Sequence, residues 1–257
     1  MIILISPSKG QDFSAHPMSE YSRPKQQSQT KVLVKELQQF KPAQIAQLMS
    51  VSENLAELNY ERFQAFKTPL KLGTAKQAAL AFKGDVYAGL EAESMSPDNW
   101  QFAQQHLRIL SGLYGYLRPL DLILPYRLEM KTKLRTPEGE NLYQFWGDSI
   151  TELMNKELKQ KDVVVNLASN EYFKSVKPSF SFNHAGNVTQ FQARDPNVAD
   201  DIVEFAMRLT NHIGFRQIQE AGYEDTPVIY RSQQAPDKDE ILETLAHIEE
   251  IFPRSVP

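Results

Sequence analysis

The stretch from Leu110 to Leu134, LSGLYGYLRPLDLILPYRLEMKTKL, limits the possible folds more than any other part of the chain. Pro119 and Pro125 fix the backbone φ angle and prevent a helix from running through the segment. Four charged side chains fall within twelve positions: Arg118, Asp121, Arg127 and Glu129. Two interpretations stay open, a rigid loop that presents charged groups to a ligand, or a crossover tied together by Arg–Asp and Arg–Glu pairs.

Composition predicts one large domain or two small ones with a substantial core, because the 257 residues include 41% hydrophobic side chains. Charge is distributed unevenly along the chain. Residues 1–194 carry 23 Lys and Arg against 19 Asp and Glu, whereas residues 195–257 carry 5 against 13. Since His106–Arg135 holds six basic residues and two acids, a locally positive surface is compatible with the net charge of −4. A solvated surface crossed by ion pairs is the alternative.

The absence of cysteine excludes disulfides, thiolate zinc sites and cysteine-ligated iron–sulfur clusters. The five histidines lack metal-binding spacing, so we predict no metal site and no cofactor, with an all-carboxylate site left open. No apolar run approaches the ~20 residues of a membrane helix. The opening MIILISP lacks a basic flank and predicts a buried strand rather than a signal peptide. We therefore expect a cytoplasmic protein with no membrane partner.

Two apolar runs predict strands that each end in a polar loop. Ile2–Ile5 is followed by SPSKGQDF, and residues 162–169 are followed by NEYFKSVKP. Further strands are predicted at 187–192 and 226–231. If the first two strands are parallel neighbours, both loops open at the same sheet edge, where α/β proteins bind ligands.

Helical periodicity accounts for much of the remaining sequence. It predicts a pair of short helices over 42–58 joined by a Ser-Val-Ser turn, and a helix from Asn99 to about Leu110. It also predicts helices at 30–39, 140–158, 197–212 and 237–251. Together with the strands, this indicates a mixed α/β or α+β domain whose strand order the sequence leaves undecided.

A phosphate-binding cleft would form if the polar loops and the proline-rich segment came together. Lys9, Lys174, Arg118 and Arg127 would line it, since guanidinium groups pair bidentately with phosphate oxygens and lysines add charge. The alternative is that these residues only tie loops together.

Catalytic signals are weaker, because the chain has no GxSxG or HExxH motif. Five carboxylates could act as acids, bases or metal ligands: Asp85, Asp121, Glu129, Asp148 and Glu171. If the cleft belongs to an enzyme, a small phosphorylated or nucleobase-like substrate fits it best. The candidate catalytic residues are then Lys9, Asp85, Glu129 and Lys174.

Several long motifs resemble the YaaA family of bacterial peroxide stress proteins, from residue 1 to about 178. They are SPSK at 6–9, FKGDVYAGL at 82–90, LSGLYGYLRPLDLILPYRLEM at 110–130, LYQFWGD at 142–148 and NLASNEYFKSVKP at 166–178. The resemblance implies a single-domain α+β fold over 1–257 with a helix–hairpin–helix element and a positively charged cleft. It also implies a cytosolic protein that binds double-stranded DNA without sequence preference and limits iron-driven oxidative damage. We expect the phosphate contacts to be Lys9, Arg118, Arg127, Lys131, Lys133 and Lys174.

The chain departs from the resemblance in its C-terminal part. The family carries a KKARG-type basic motif there, whereas this chain has QARDPNVADD and a strongly acidic region over 195–257. Fewer basic side chains in this region mean fewer bonds to phosphate, which lowers the expected DNA affinity and makes it less dependent on salt.

Overall fold

The computed structural model describes residues 2–158 and 164–176. In chain order its strands are β1 (Ile2–Ile5), β2 (Gly10–Gln11), β3 (Lys76–Gln77), β4 (Phe82–Lys83), β5 (Leu107–Ser111), β6 (Gly115–Leu117), β7 (Leu122–Ile123) and β8 (Val164–Asn166). The α-helices are α1 (Gln27–Leu37), α2 (Pro42–Met49), α3 (Glu53–Gln64), α4 (Ala78–Ala81), α5 (Asp85–Leu90), α6 (Pro97–His106), α7 (Leu142–Trp146), α8 (Ser149–Glu157) and α9 (Asn170–Phe173). This confirms the α+β fold class.

The main sheet has the strand order β6-β5-β1-β8. β1 pairs in parallel with both β5 and β8, so that Ile3 lies opposite Leu107 on one side and Val165 on the other. All four side chains of β1 are buried, as expected for a strand inside a parallel sheet. The parallel pairing of the two predicted strands is confirmed, and the loops that follow β1 and β8 leave the sheet at one edge.

The predicted helix from Asn99 to Leu110 is wrong in its second half. Ser96 caps α6 by accepting a hydrogen bond from the Asn99 N–H at 3.2 Å, but the helix ends at His106. Leu107–Ser111 is instead the strand β5, buried at all five positions between β1 and β6. A short apolar run fits both structures, and pairing with the distant β1 selects the strand.

The continuous helix expected over 140–158 is also wrong, since two helices, α7 and α8, occupy this region. Gly147 separates α7 from α8 with a φ of 51°, a left-handed value that favours glycine. Just before this break, the buried indole of Trp146 donates a hydrogen bond to the Gly112 carbonyl at 3.0 Å. The break therefore lets the aromatic helix pack under the start of the proline-rich segment.

The predicted helix pair is present as α2 and α3. Ser50 ends α2 in the left-handed conformation, with a φ of 52°, and α3 starts two residues after Val51. Ile45 and Ala56 are completely buried where the two helices join the core. That this pair is a DNA-binding helix–hairpin–helix element stays a prediction.

The predicted elements at 187–192, 197–212, 226–231 and 237–251 lie outside the described residues. The single-domain organisation of residues 1–257 likewise stays a prediction. Within the described part of the chain, none of the helices combines the length and apolar character that spanning a bilayer requires.

Candidate anion-binding site

An extended segment with alternating burial carries most of the candidate site. From Tyr126 to Thr136 the even-numbered side chains are buried and the odd-numbered ones are partly or fully exposed. Leu128, Met130 and Leu134 point into the core with at most 3% exposure. The period of two places five charged residues on the other face: Arg127, Glu129, Lys131, Lys133 and Arg135. We call this face the basic strip.

Glu129 lies at the centre of three cations. Its carboxylate is 3.0 Å from the Arg127 guanidinium, 3.2 Å from the Lys131 ammonium and 3.4 Å from the Lys9 ammonium. The Glu129 side chain is only 14% exposed, whereas those of Lys9 and Lys131 are more than 60% exposed. The lysines therefore keep most of their surface in solvent while one side touches Glu129.

Glu171 in α9 joins the strip to the loop after β8. Its carboxylate accepts a hydrogen bond from the Lys131 backbone N–H at 3.2 Å and lies 3.5 Å from the Lys131 ammonium. The Tyr143 hydroxyl donates to the Glu171 carbonyl at 2.8 Å. Lys131 is thus held by two carboxylates from two parts of the chain.

Hydrogen bonds between loops place Lys9 beside the strip. Ser6, directly after β1, accepts a hydrogen bond from the Ser169 N–H at 2.9 Å, which joins the two strand ends. The buried Tyr87 hydroxyl donates to the Ser6 carbonyl at 2.8 Å. Gln11 accepts from the Tyr126 N–H at 3.1 Å. The loop is anchored on both sides of Lys9 because Ser6 and Gln11 are both tied to neighbouring elements.

The end of α2 and the basic strip line the same hollow of about 380 Å³. Leu48, Met49 and Ser50 are the residues that α2 and its C-terminal cap contribute. The remaining lining residues are Lys9, Arg127, Glu129, Lys131, Thr132 and Lys133. The helix pair and the basic strip, which are far apart in sequence, therefore share one site.

The charges around Glu129 favour its ionised form. Partial burial by itself raises the pKa of the Glu129 carboxyl, but the Lys131 hydrogen bond and the three neighbouring positive charges outweigh burial and hold the pKa below its ordinary value. The same hydrogen bond, together with the charge of Glu171, raises the pKa of Lys131. Glu129 and Lys131 are consequently both charged at neutral pH.

Arg118 lies at the other end of the main sheet. β6 runs antiparallel to β5, so Arg118 emerges at the edge opposite to the loops that carry Lys9 and Glu171. Its guanidinium binds the fully buried Asp121 at 2.8 Å and donates to the Arg23 carbonyl at 3.0 Å. Ser22 also donates to Asp121, at 2.7 Å. Here the structure matches the alternative in which an Arg–Asp pair ties the segment together.

Three other predicted residues lie outside the lining of the hollow. Lys174 is exposed just after α9, three residues beyond Glu171. Asp85 is exposed in the first turn of α5, and Asp148 precedes α8. Of the predicted phosphate contacts, the structure brings together Lys9, Arg127, Lys131 and Lys133.

Sequence reasoning missed the helix-turn residues Leu48, Met49 and Ser50 as part of the site. It also predicted a rigid loop or a crossover for the whole of 110–134, although charged and apolar residues alternate from residue 127 onward in the amino-acid sequence. That period of two was the available signal. No local signal linked α2 to the strip, because only the tertiary fold brings them together.

Within residues 2–158 and 164–176, no three His, Asp or Glu side chains come together in a group able to hold a metal ion.

Comparison of the amino-acid sequence with known proteins identifies the family of this chain. A sequence profile described as Peroxide stress protein YaaA matches residues 1–206. The chain belongs to this family. The match continues beyond the residues, 1 to about 178, over which the motifs showed the resemblance.

Two curated relatives agree with this assignment. The UPF0246 protein of Acaryochloris marina is 52% identical over 178 residues, which are 69% of this chain and 71% of the relative. A UPF0246 protein of Shewanella denitrificans is 54% identical over 180 residues, covering 69% of this chain and 70% of the relative. All described residues of the candidate site lie within the part that the YaaA profile matches.

Proposed function

We propose that this YaaA-family protein acts in the cytoplasm and limits iron-driven oxidative damage by binding double-stranded DNA through the basic strip. Binding is to the phosphate backbone and independent of base sequence, because Lys9, Lys131 and Lys133 are point charges that suit phosphate oxygens. The guanidinium of Arg127, which could otherwise read a base edge, is paired with Glu129 at 3.0 Å. The observation that supports this most directly is the convergence of Lys9, Arg127, Lys131 and Lys133 beside the turn of the α2–α3 pair. Backbone groups at such a turn can contact a phosphate while lysines supply charge.

A second candidate function uses the same hollow for chemistry on a small phosphorylated or nucleobase-like molecule. Its volume of about 380 Å³ falls within the range of small-molecule sites. Glu129 is largely buried and remains ionised, so it would serve as a base or as an orienting group for the substrate. An enzyme of this kind would bind its small-molecule substrate whether or not DNA is present.

Equilibrium binding of the full chain to closed circular duplex DNA tests the first proposal. We expect the logarithm of the affinity to fall linearly with the logarithm of the salt concentration, because counterions are released from the contacted phosphates. The double variant K131A/K133A should bind more weakly, while K31A/K35A, which removes two exposed lysines on α1, serves as the charge-matched control. Absence of binding, or an affinity independent of salt, would overturn the proposal.

A further inference from the structure

The charges that line the hollow do not balance. Among the described residues, the cations Lys9, Arg127, Lys131 and Lys133 line the hollow together with one carboxylate, Glu129. Glu171, which is outside the lining, binds Lys131 as a second carboxylate, and a surplus of two positive charges remains. A backbone phosphodiester carries one negative charge, whereas a terminal phosphate carries about 1.5 to 2 at neutral pH. The surplus therefore matches a terminal phosphate better than an internal one.

An apolar part of the lining is suited to a different part of the ligand. Leu48 and Met49 are half-buried and apolar, and they line the hollow together with the cations of the basic strip. A ligand that fills this space has a phosphate at one end and a less polar body, such as a sugar with its base, at the other. The volume of about 380 Å³ suits one nucleotide and is too small for the cross-section of a duplex.

From this arrangement we propose that the hollow is a binding site for a nucleotide that bears a terminal phosphate, with Lys9, Arg127 and Lys131 on the phosphate and Leu48 and Met49 on its sugar or base. The nucleotide comes from one of two sources, a free mononucleotide or the 5′-phosphorylated end of a DNA strand. This inference rests on the proposed affinity of the strip for phosphate, and it adds a ligand class that backbone binding alone does not require.

Glu129 acts in this site as the residue that discriminates between phosphates. Its carboxylate already occupies one side of all three cations, at 3.0 to 3.4 Å. A singly charged phosphodiester must compete with this carboxylate for the same donors, while a doubly charged phosphate retains an electrostatic advantage over it. Replacing Glu129 by glutamine removes the competitor and should reduce the discrimination.

The experiment compares ligands that differ only in the terminal phosphate. Fluorescence anisotropy measures binding of the full chain to a labelled single strand with a 5′-phosphate and to the same strand with a 5′-hydroxyl. We expect the phosphorylated strand to bind at least about ten-fold more tightly, since it adds charge-assisted hydrogen bonds. Adenosine 5′-monophosphate should compete in the free-nucleotide arm and adenosine should not. Competition by the mononucleotide with equal binding of the two strands would assign the site to free nucleotides.

Equal affinity of the two strands together with no competition by the mononucleotide would overturn this inference. Closed circular duplex has no ends, so its salt-dependent binding reports on the proposed DNA function independently. E129Q should raise the affinity for the 5′-hydroxyl strand and so reduce the ratio of the two affinities, 5′-phosphate over 5′-hydroxyl. An unchanged ratio in E129Q, with normal far-UV circular dichroism, would contradict the role of Glu129.

The pH dependence provides a second readout. A terminal phosphate gains a proton near pH 6, so the preference for the phosphorylated strand should fade between about pH 7.5 and pH 5. Glu129 remains ionised over this range because its pKa lies below the ordinary value. Of the described residues that line the hollow, none is a histidine. In the same part of the chain, the charged or titratable groups around Glu129 are Lys9, Arg127, Lys131 and Tyr172, and Glu171 acts on it indirectly by binding Lys131. A preference that stays constant over this range would count against the terminal phosphate.

Discussion

The side chain of Ser6 accepts a hydrogen bond from the backbone N–H of Ser169 at 2.9 Å, and its hydroxyl lies 3.3 Å from that of Ser169. The two residues are 163 positions apart, and each follows the carboxyl end of a parallel strand. Lys9 and Glu171 stand a few residues further along these two loops. This contact therefore controls the distance between the halves of the candidate site.

Replacing Ser6 by alanine should lower the free energy of unfolding by about 1–2 kcal/mol, because the Ser169 N–H is left without its partner. DNA binding should weaken as well, since the loop that carries Lys9 loses one of the contacts that hold it beside the strip. Urea denaturation and the duplex-binding assay measure the two effects. Ser28, exposed on α1, supplies the matched variant S28A, for which we expect no change. Wild-type stability in S6A would contradict the role of this contact.

Gly112 should be intolerant of any side chain. A Cβ placed there would collide with the backbone carbonyl of Leu128, the residue between Arg127 and Glu129. Because backbone cannot move aside as a flexible side chain does, we expect G112A to lower stability by about 1–3 kcal/mol. It should also displace the basic strip and weaken DNA binding. Gly10 is the control, since the nearest atom to its Cβ is at an ordinary 3.6 Å. Thermal unfolding of G112A and G10A tests this difference.

Glu157 should contribute to stability in a pH-dependent way. Its carboxylate binds the buried Arg108 guanidinium at 2.9 Å and accepts from the Tyr116 hydroxyl at 3.0 Å. Partial burial raises the pKa of Glu157, but the hydrogen bond from Lys25 and the charge of Arg108 outweigh it and lower the pKa overall. E157Q should cost roughly 3 kcal/mol at pH 7, because Arg108 is left buried without its counter-charge.

The sign of the pH effect follows from the lowered pKa. The contribution of Glu157 is complete above its unfolded pKa and disappears as pH falls through the folded one. The stability difference between wild type and E157Q should therefore shrink below about pH 4. Denaturant midpoints at several pH values measure it, with the exposed Glu152 providing the control E152Q. A difference that is constant with pH would contradict this explanation.

Lys133 should act on DNA through charge alone. It is exposed and lines the hollow, so K133A is expected to retain wild-type stability. The slope of log affinity against log salt should fall by about one, because one fewer phosphate is neutralised by the protein. K31A should leave the slope unchanged. If K133A and wild type show the same slope, Lys133 does not contact phosphate.

Protection of DNA should follow DNA binding. Supercoiled plasmid exposed to ferrous iron and hydrogen peroxide accumulates nicks, which gel electrophoresis counts. We expect wild type and K31A/K35A to reduce nicking and K131A/K133A to protect less, because the latter occupies the backbone less at the same concentration. Equal protection by all three proteins would show that protection does not depend on the basic strip.

The amino-acid sequence alone was sufficient to predict features that depend on neighbouring residues in the chain. The apolar Ile2–Ile5 strand and the helix pair at 42–58 follow from burial pattern and turn chemistry. The alternation over 126–136 was also present in the order of the residues, and it determines which charged side chains share a face.

Pairings between distant segments were decided only by the tertiary structure. Leu107–Ser111 is a strand because β1 lies beside it, and Arg118 is separated from Arg127 because β6 reverses the chain direction. Leu48 meets Lys9 and Glu129 only after α2 packs against the core. The local sequence determines whether apolar residues recur with the period of a helix or of a strand. Which elements pack together is decided by burial and hydrogen bonding between distant segments, and the candidate site is formed by elements that meet in this way.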